Sequence, residues 1–170
     1  MSTAPDNLRL GPIVRTITRR TIEQYEEILG IGNPLHFDED YARETPFGGT
    51  IAHGMMSLAY VSEMMSQAFG KGWYEGGEVV TTFVLPVRPG DTITTWGRIS
   101  GQRRGESQVH ATCDVFCENQ NGENVLVGTA EASMAEFISG VPELPGCPGE
   151  GELATWSCEN TGESSGADGG

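Results

Sequence analysis

Apolar and polar positions alternate through residues 12–18, PIVRTIT, with β-branched residues among them, which predicts a first β-strand. The period then changes. In TIEQYEEILG, Thr21 is followed three positions later by Gln24, a capping-box spacing, and Ile22, Tyr25, Ile28 and Leu29 share one helical face. Gly30 and Gly32 end this short helix and hand the chain to a turn, Asn33-Pro34-Leu35-His36. After the segment DEDYARET, the chain from about His53 to Phe69 carries Met, Leu, Ala, Tyr and Val on nearly every side, and Gly70 and Gly72 stop it. A helix apolar all round is a buried one, so this is the predicted central helix.

The remainder reads as strand: EVVTTFVLPV (78–87), DTITTWGRIS (91–100), SQVHATCDVFCEN (107–119) and ENVLVGTAEASMAEF (123–137). RPGD (88–91), GQRRGE (101–106) and NQNGEN (119–124) read as the turns between them, so the four strands are expected to form an antiparallel meander. A strongly twisted antiparallel sheet curling around one apolar helix buries both, an α+β arrangement. From about Pro142 periodic apolar content ends and Gly, Pro, Ser and Glu dominate. Such a segment cannot offset its ordering entropy by burial. The expected organisation is one domain over 1–140 and an acidic Gly-rich flexible tail over 141–170, with Trp156 suited to pin a short piece.

Composition narrows the partners. At 170 residues the chain suits one ordinary globular domain. No apolar run reaches the ~18–20 residues of a membrane span, and MSTAPDNLRLGP lacks the apolar core of a secretory signal, so a cytoplasmic protein without membrane contact is expected. The formal charge is −14, and six of the acidic residues lie in 141–170 with no Lys or Arg, leaving 18 acidic against 10 basic residues, or −8, on the rest. That balance argues against binding nucleic acid through its phosphates, although a local Arg cluster still suits a small anion. Cys113, Cys117, Cys147 and Cys158 show neither zinc nor disulfide spacing, so no metal is expected.

Three histidines offer acid–base chemistry. His110, within a strand, reads as a packing or surface residue. His53, opening the central helix, suits a cap, a packing position or a ligand contact. His36 sits in a Pro-stiffened turn between two helical segments, where loops held by rigid elements often carry function. Gly54-Met55 adds a second feature. A glycine just inside a buried helix's N-terminus exposes N–H donors backed by the helix dipole, which suit a developing oxyanion such as a thioester enolate. The alternative is that Gly54 only permits close packing of helix on sheet.

The stretch NPLHFDEDYARETPFGGTIAHGM (33–55) resembles the segment shared by MaoC-like dehydratases and (R)-specific enoyl-CoA hydratases of the hot-dog fold. In that family an N-P-L-H turn precedes a P-F-x-x-x-I-x-H-G-M stretch that opens the central helix. FVLPVRPGDTI (83–93) resembles the strand–turn–strand that follows, and the likeness covers roughly residues 10–138. It implies a curved antiparallel sheet wrapped around a long central helix, and hydration of an enoyl thioester or dehydration of its (R)-3-hydroxy form. By the resemblance His36 is the acid/base and Gly54 polarises the thioester carbonyl. Asn33, Ile31, Met55 and Ser62 line the substrate.

The family has an aspartate five residues before its histidine, and here that position is Ile31. Glu27 lies a turn back on the preceding helix, Glu26 is expected to face elsewhere, and Asp38 to cap the next segment, so none replaces the aspartate. Losing one such group is expected to cripple hydration without abolishing ligand binding, and Ile31→Asp is expected to raise it. Two alternatives stand beside the hydratase. One is a non-catalytic subunit of a heteromeric dehydratase; the other is a hot-dog thioesterase, for which Glu63 is the only carboxylate on the central helix. The substrate is expected to be a CoA or carrier-protein thioester, with no other cofactor. Its acyl chain would run near Tyr60, Phe83 and Trp73, and Arg88, Arg103 or Arg104 would meet phosphates. Hot-dog sheets pair edge to edge, which implies a homodimer or higher homo-oligomer.

Overall fold

A computed structural model describes residues 8–105 and 107–144. Strand β1 (Arg9–Thr16) leads into helix α1 (Arg19–Leu29), a 3-10 turn (Pro34–His36) and a short helix α2 (Glu39–Arg43). Helix α3 (Gly54–Phe69) and a single turn, α4 (Lys71–Tyr74), precede strands β2 (Glu78–Phe83), β3 (Thr92–Arg104), β4 (Val109–Glu118) and β5 (Asn124–Met134). The five strands form one antiparallel sheet in the order β1-β3-β4-β5-β2. α3 packs on this sheet against β1, β3, β4 and β5, the α+β arrangement expected.

The order corrects the predicted meander. Only β3, β4 and β5 follow one another by hairpins; β2 lies beyond β5 at the sheet edge, pairing Val79 with Ala130 and Phe83 with Leu126. The RPGD turn therefore joins the edge strand β2 to the interior strand β3 across the sheet, a crossover that strand periodicity does not reveal. GQRRGE likewise opens as strand: β3 runs to Arg104, pairing with β4 past a bulge between Ile99 and Gly101. A bulge re-aims the chain without ending the ladder.

The core lies between α3 and the sheet. On β4 every second residue from Val109 to Cys117 is buried, and Ile93, Ile99, Leu126, Ala130 and Ala132 extend that face across β3 and β5. From α3 come Met56, Val61, Met64 and Met65, each worth roughly 1.5–3 kcal/mol when fully buried. These positions define one stripe of α3, not its whole circumference. Met55 is 52% exposed, because a single five-stranded sheet covers only one side of the helix.

Three other expectations shift. Helix α1 is capped by Thr18, whose side chain accepts from the Thr21 N–H while Thr21 reciprocates, so the box starts three residues before the Thr21–Gln24 pair. Of its apolar face only Ile22 is buried, and Ile28 is 82% exposed. The ordered contacts also run past residue 140. Val141 is buried, Gln102 donates from its side chain to the Ile138 and Val141 carbonyls, and Leu144 N–H bonds the Gln102 carbonyl. The rest of the predicted tail, with Trp156, Cys147 and Cys158, lies outside the described residues.

Candidate active site

Asn33 caps the 3-10 turn by accepting the Leu35 N–H at 3.1 Å, and Pro34 fixes its first residue. This geometry presents His36 toward the loop that leads into α3. There His36 Nδ1 lies 2.9 Å from the Ile51 carbonyl oxygen. A carbonyl only accepts, so Nδ1 carries the proton and Nε2 holds the lone pair when the ring is neutral. Asn33 Nδ2 stands 3.5 Å from that Nε2, at the long end of a hydrogen bond. Burial is the main influence on the imidazole and pushes its pKa below 6.5; the bond to Ile51 and the charge of Glu26 oppose it, and His53 adds to it. His36 therefore favours the neutral, proton-accepting form at neutral pH.

His53 immediately precedes α3 and makes no side-chain cap bond. Its ring stacks on that of His36 with centroids 3.6 Å apart and a 26° tilt, while Tyr25 of α1 approaches from another side at 5.2 Å. His53 Nε2 lies 2.6 Å from Glu26 Oε2. Both side chains are largely buried, at 6% and 14% exposure. A carboxylate facing Nε2 places the proton there, which leaves Nδ1 buried without a partner.

Glu26 was expected to face elsewhere, and the structure corrects this. Gly30 and Gly32 both take left-handed backbone angles, with φ of +63° and +69°, and turn the chain back over the last turn of α1. As a result the Gly32 N–H donates to Glu26 Oε1, while Oε2 is turned to His53. The Gly32 N–H is the strongest influence on the carboxyl, and with His53 it outweighs burial and holds the pKa below 4.5. The readable signal was a glycine pair just after a helix that ends in glutamates. Periodicity alone did not show that Glu26 faces the site.

Beside the His53 ring a cavity of about 320 Å³ is lined by Phe47, Ile51, Ala52, His53, Gly54, Ser57, Phe83, Val84, Leu85, Pro86, Val87 and Val125; His36 and Asn33 are not among its lining residues, and His36 reaches it through His53 and Ile51. Its walls are mostly apolar, with the first residue of α3 at one side. Gly54 is closely approached there: an added Cβ would stand 3.0 Å from Phe83 Cε1, so the ring would have to give way. Both readings of Gly54 keep a basis, since it packs closely on Phe83 and also borders the cavity.

The other sequence candidates separate. Ile31 is 64% exposed and does not line the cavity, and neither does Met55. The serine at the cavity is Ser57; Ser62 is further along α3 and accepts the Trp73 indole N–H at 3.0 Å. Of the three residues placed along the acyl path, Phe83 lines the cavity, whereas Tyr60 and Trp73 pack against the core. Glu63 pairs with Arg15 at 2.6 Å, away from the cavity lining. Arg88 donates to the carbonyl of Phe47, a cavity residue, at 2.5 Å. Arg103 pairs with Glu131 and Arg104 lies over Phe137. Asp38 caps α2 as expected, accepting the Tyr41 N–H. Among the described residues, no group of three or more His, Cys, Asp or Glu side chains is arranged to hold a metal.

Comparison with known proteins agrees with this frame. A relative described as (R)-specific enoyl-CoA hydratase from Rhodospirillum rubrum is 33% identical over 90 residues, 52% of this chain and 62% of that protein, so the match spans under two thirds of its length. A 3-hydroxybutyryl-CoA dehydratase from Methylorubrum extorquens is 29% identical over 128 residues, 74% of this chain and 81% of that one. Among solved structures, an R-hydratase from Pseudomonas aeruginosa superposes with a TM-score of 0.60 at 27% identity, covering 82% and 89% of the two chains. The (R)-hydratase from A. caviae gives 0.62 at 23% identity over 74% and 93%, a likeness of fold. The family model described as MaoC like domain matches residues 2–120. The chain belongs to the MaoC-like domain family and has its hot-dog fold.

Proposed function

We propose that the protein is a hydratase/dehydratase of acyl thioesters, interconverting a trans-2-enoyl thioester and its (R)-3-hydroxy form. The observation that carries this reading is the orientation of His36. Its Nδ1–H is committed to Ile51, so Nε2 is the atom left for proton transfer, and the ring touches two residues of the apolar cavity wall, Ile51 by that bond and His53 by stacking. The names of the relatives point the same way.

In the hydration direction, His36 Nε2 accepts a proton from water as the hydroxide oxygen bonds to Cβ. Electrons of the Cα–Cβ double bond move to the thioester carbonyl, giving an enolate whose oxygen accepts a hydrogen bond from the Gly54 N–H. His36 then returns the proton to Cα, so the net change is addition of one water. The acyl chain occupies the space between Phe83, Val87 and Val125, with Arg88 at the Phe47 side for the phosphates of CoA. Glu63 is held by Arg15 away from the cavity, which leaves a thioesterase without its helix carboxylate.

Strand β2 supports assembly of a homodimer. It is an edge strand, Val80 is 74% exposed, and Phe83 and Val84 serve both the edge and the cavity, so a second copy paired there would close the acyl site. No described helix is long and apolar enough to cross a membrane.

The test is to mix the purified protein with crotonyl-CoA and follow the conjugated enoyl absorbance beside a thiol-release assay. Loss of absorbance without thiol release is expected. No loss across several chain lengths, or thiol release as the only reaction, would overturn the reading.

A further inference from the structure

We propose that Glu26 is the positioning residue of the His36 site, supplying from α1 the carboxylate that residue 31 does not. This rests on the reading of His36 as the acid–base group. Three strands of geometry support it. Glu26 holds His53 through Nε2 at 2.6 Å, and the face of His53 is the surface against which the His36 ring is stacked. The other oxygen of Glu26 receives the Gly32 N–H, which fixes the backbone just before Asn33 and the turn that carries His36. One carboxylate therefore ties α1, the approach to the turn, and the start of α3.

The third observation is the unpaired His53 Nδ1. A buried nitrogen without a partner is locally unfavourable, and such atoms in native structures call for an explanation. Here the explanation is that Glu26 fixes the ring with Nε2 toward α1, and Nδ1 is left unsatisfied by that choice. Position 31 offers no equivalent, since Ile31 points into solvent.

Charge gives Glu26 a second effect. The groups acting on His36 are Glu26 from α1, His53 at the head of α3, the neutral Asn33 amide, and the Ile51 carbonyl; Tyr25 reaches His53. Glu26 is the anionic member of that set. It raises the proton affinity of His36, the smallest of the four influences and opposed by burial and by His53.

The experiment is Glu26→Gln, which retains an acceptor oxygen and removes the charge. The His36 and His53 rings are followed by NMR titration without substrate, and the pH profile of kcat/KM is followed with crotonyl-CoA. His36 is expected to titrate at lower pH than in the native protein, and the acid limb of the profile to move with it. The rate should fall about 10²-fold, the low end of what an acid–base group contributes. Glu27→Gln, on the next residue of α1, is expected to change neither readout. An unchanged His36 titration with a rate within about twofold of native, or an equal shift in Glu27→Gln, overturns the proposal. Should Glu26→Gln fail to fold, ring nitrogen shifts of native His53 decide. A proton on Nε2 supports the proposal, and a proton on Nδ1 alone contradicts it. Failure of the native protein to hydrate crotonyl-CoA would count against the function and leave the titration as the test of Glu26.

Discussion

The sheet core and the surroundings of His36 are held by different physics. On β4 burial alternates residue by residue, and its buried positions, the thiols of Cys113 and Cys117 among them, join one apolar cluster with side chains of α3. Cys113 and Cys117 belong to that regime: burial pushes their thiols up to about 12 and about 11, so they stay protonated and inert. Around His36 the elements are short and polar, two imidazoles lie face to face, and one buried nitrogen has no partner. Loss of a group from the core leaves a space that the packing closes only in part, and so acts on stability. The site depends on orientation, so loss of one group acts on chemistry before it acts on stability.

The largest effects should separate the two regions cleanly. His36→Ala is expected to lower crotonyl-CoA hydration by ~10²–10⁴-fold with little change in thermal midpoint. Met65→Ala, a fully buried residue of α3, should cost about 2–5 kcal/mol of stability and leave the pH profile of the surviving enzyme unchanged. Denaturant unfolding beside the absorbance assay checks both; a Met65→Ala profile shifted like that of a site variant would break the distinction.

Gly54 lies where the regions meet. A Cβ there crowds the Phe83 ring across the cavity, so Gly54→Ala should raise KM roughly tenfold, as small misfits in apolar pockets do. Gly54→Ala combined with Phe83→Leu should recover part of it. Equal KM values in the single and double variants would remove Phe83 from the account.

This division also explains what could be read from the chain. The core strands announced themselves by β-branched runs, and α3 by its length of apolar residues and its glycine stop. The turn Asn33–His36 and the helix start at Gly54 were legible as local structure because short motifs fix them. β2's place at the far edge was not, since strand order depends on which ladder the crossover reaches. Ile28 looked like core because helical spacing says which residues share a face, not whether a partner covers it. Glu26 was hidden for a related reason: its role arises only when two left-handed glycines bring Gly32 back to it and α3 delivers His53.

Smaller effects sharpen the contrast between positions 26 and 31. Ile31→Asp alone should change stability by under about 0.5 kcal/mol, as exposed substitutions do, and raise activity only modestly while Glu26 is present. In the Glu26→Gln background it should restore a larger fraction of the lost rate. A rise of the same size in both backgrounds would show that the two carboxylates do not share a role.

The mildest expectation concerns pH. The His36 pKa lies below 6.5 in the folded protein, so on acidification below that value the unfolded chain binds a proton that the folded one refuses. Stability therefore falls as pH drops from 6.5 toward the folded value. The Glu26 pKa is depressed, so its contribution is present above 4.5 and is lost as pH falls through its lower folded value. Thermal midpoints should decline in both windows, and His36→Gln should flatten the upper one alone.

The most direct test of the central claim is a crystal structure with a stable 3-hydroxyacyl thioester analogue. The account predicts the thioester oxygen about 2.7–3.1 Å from the Gly54 nitrogen and His36 Nε2 about 3–3.5 Å from the 3-hydroxyl oxygen, within reach of Cα. A thioester seated away from His36, or with its carbonyl turned from α3, would contradict it.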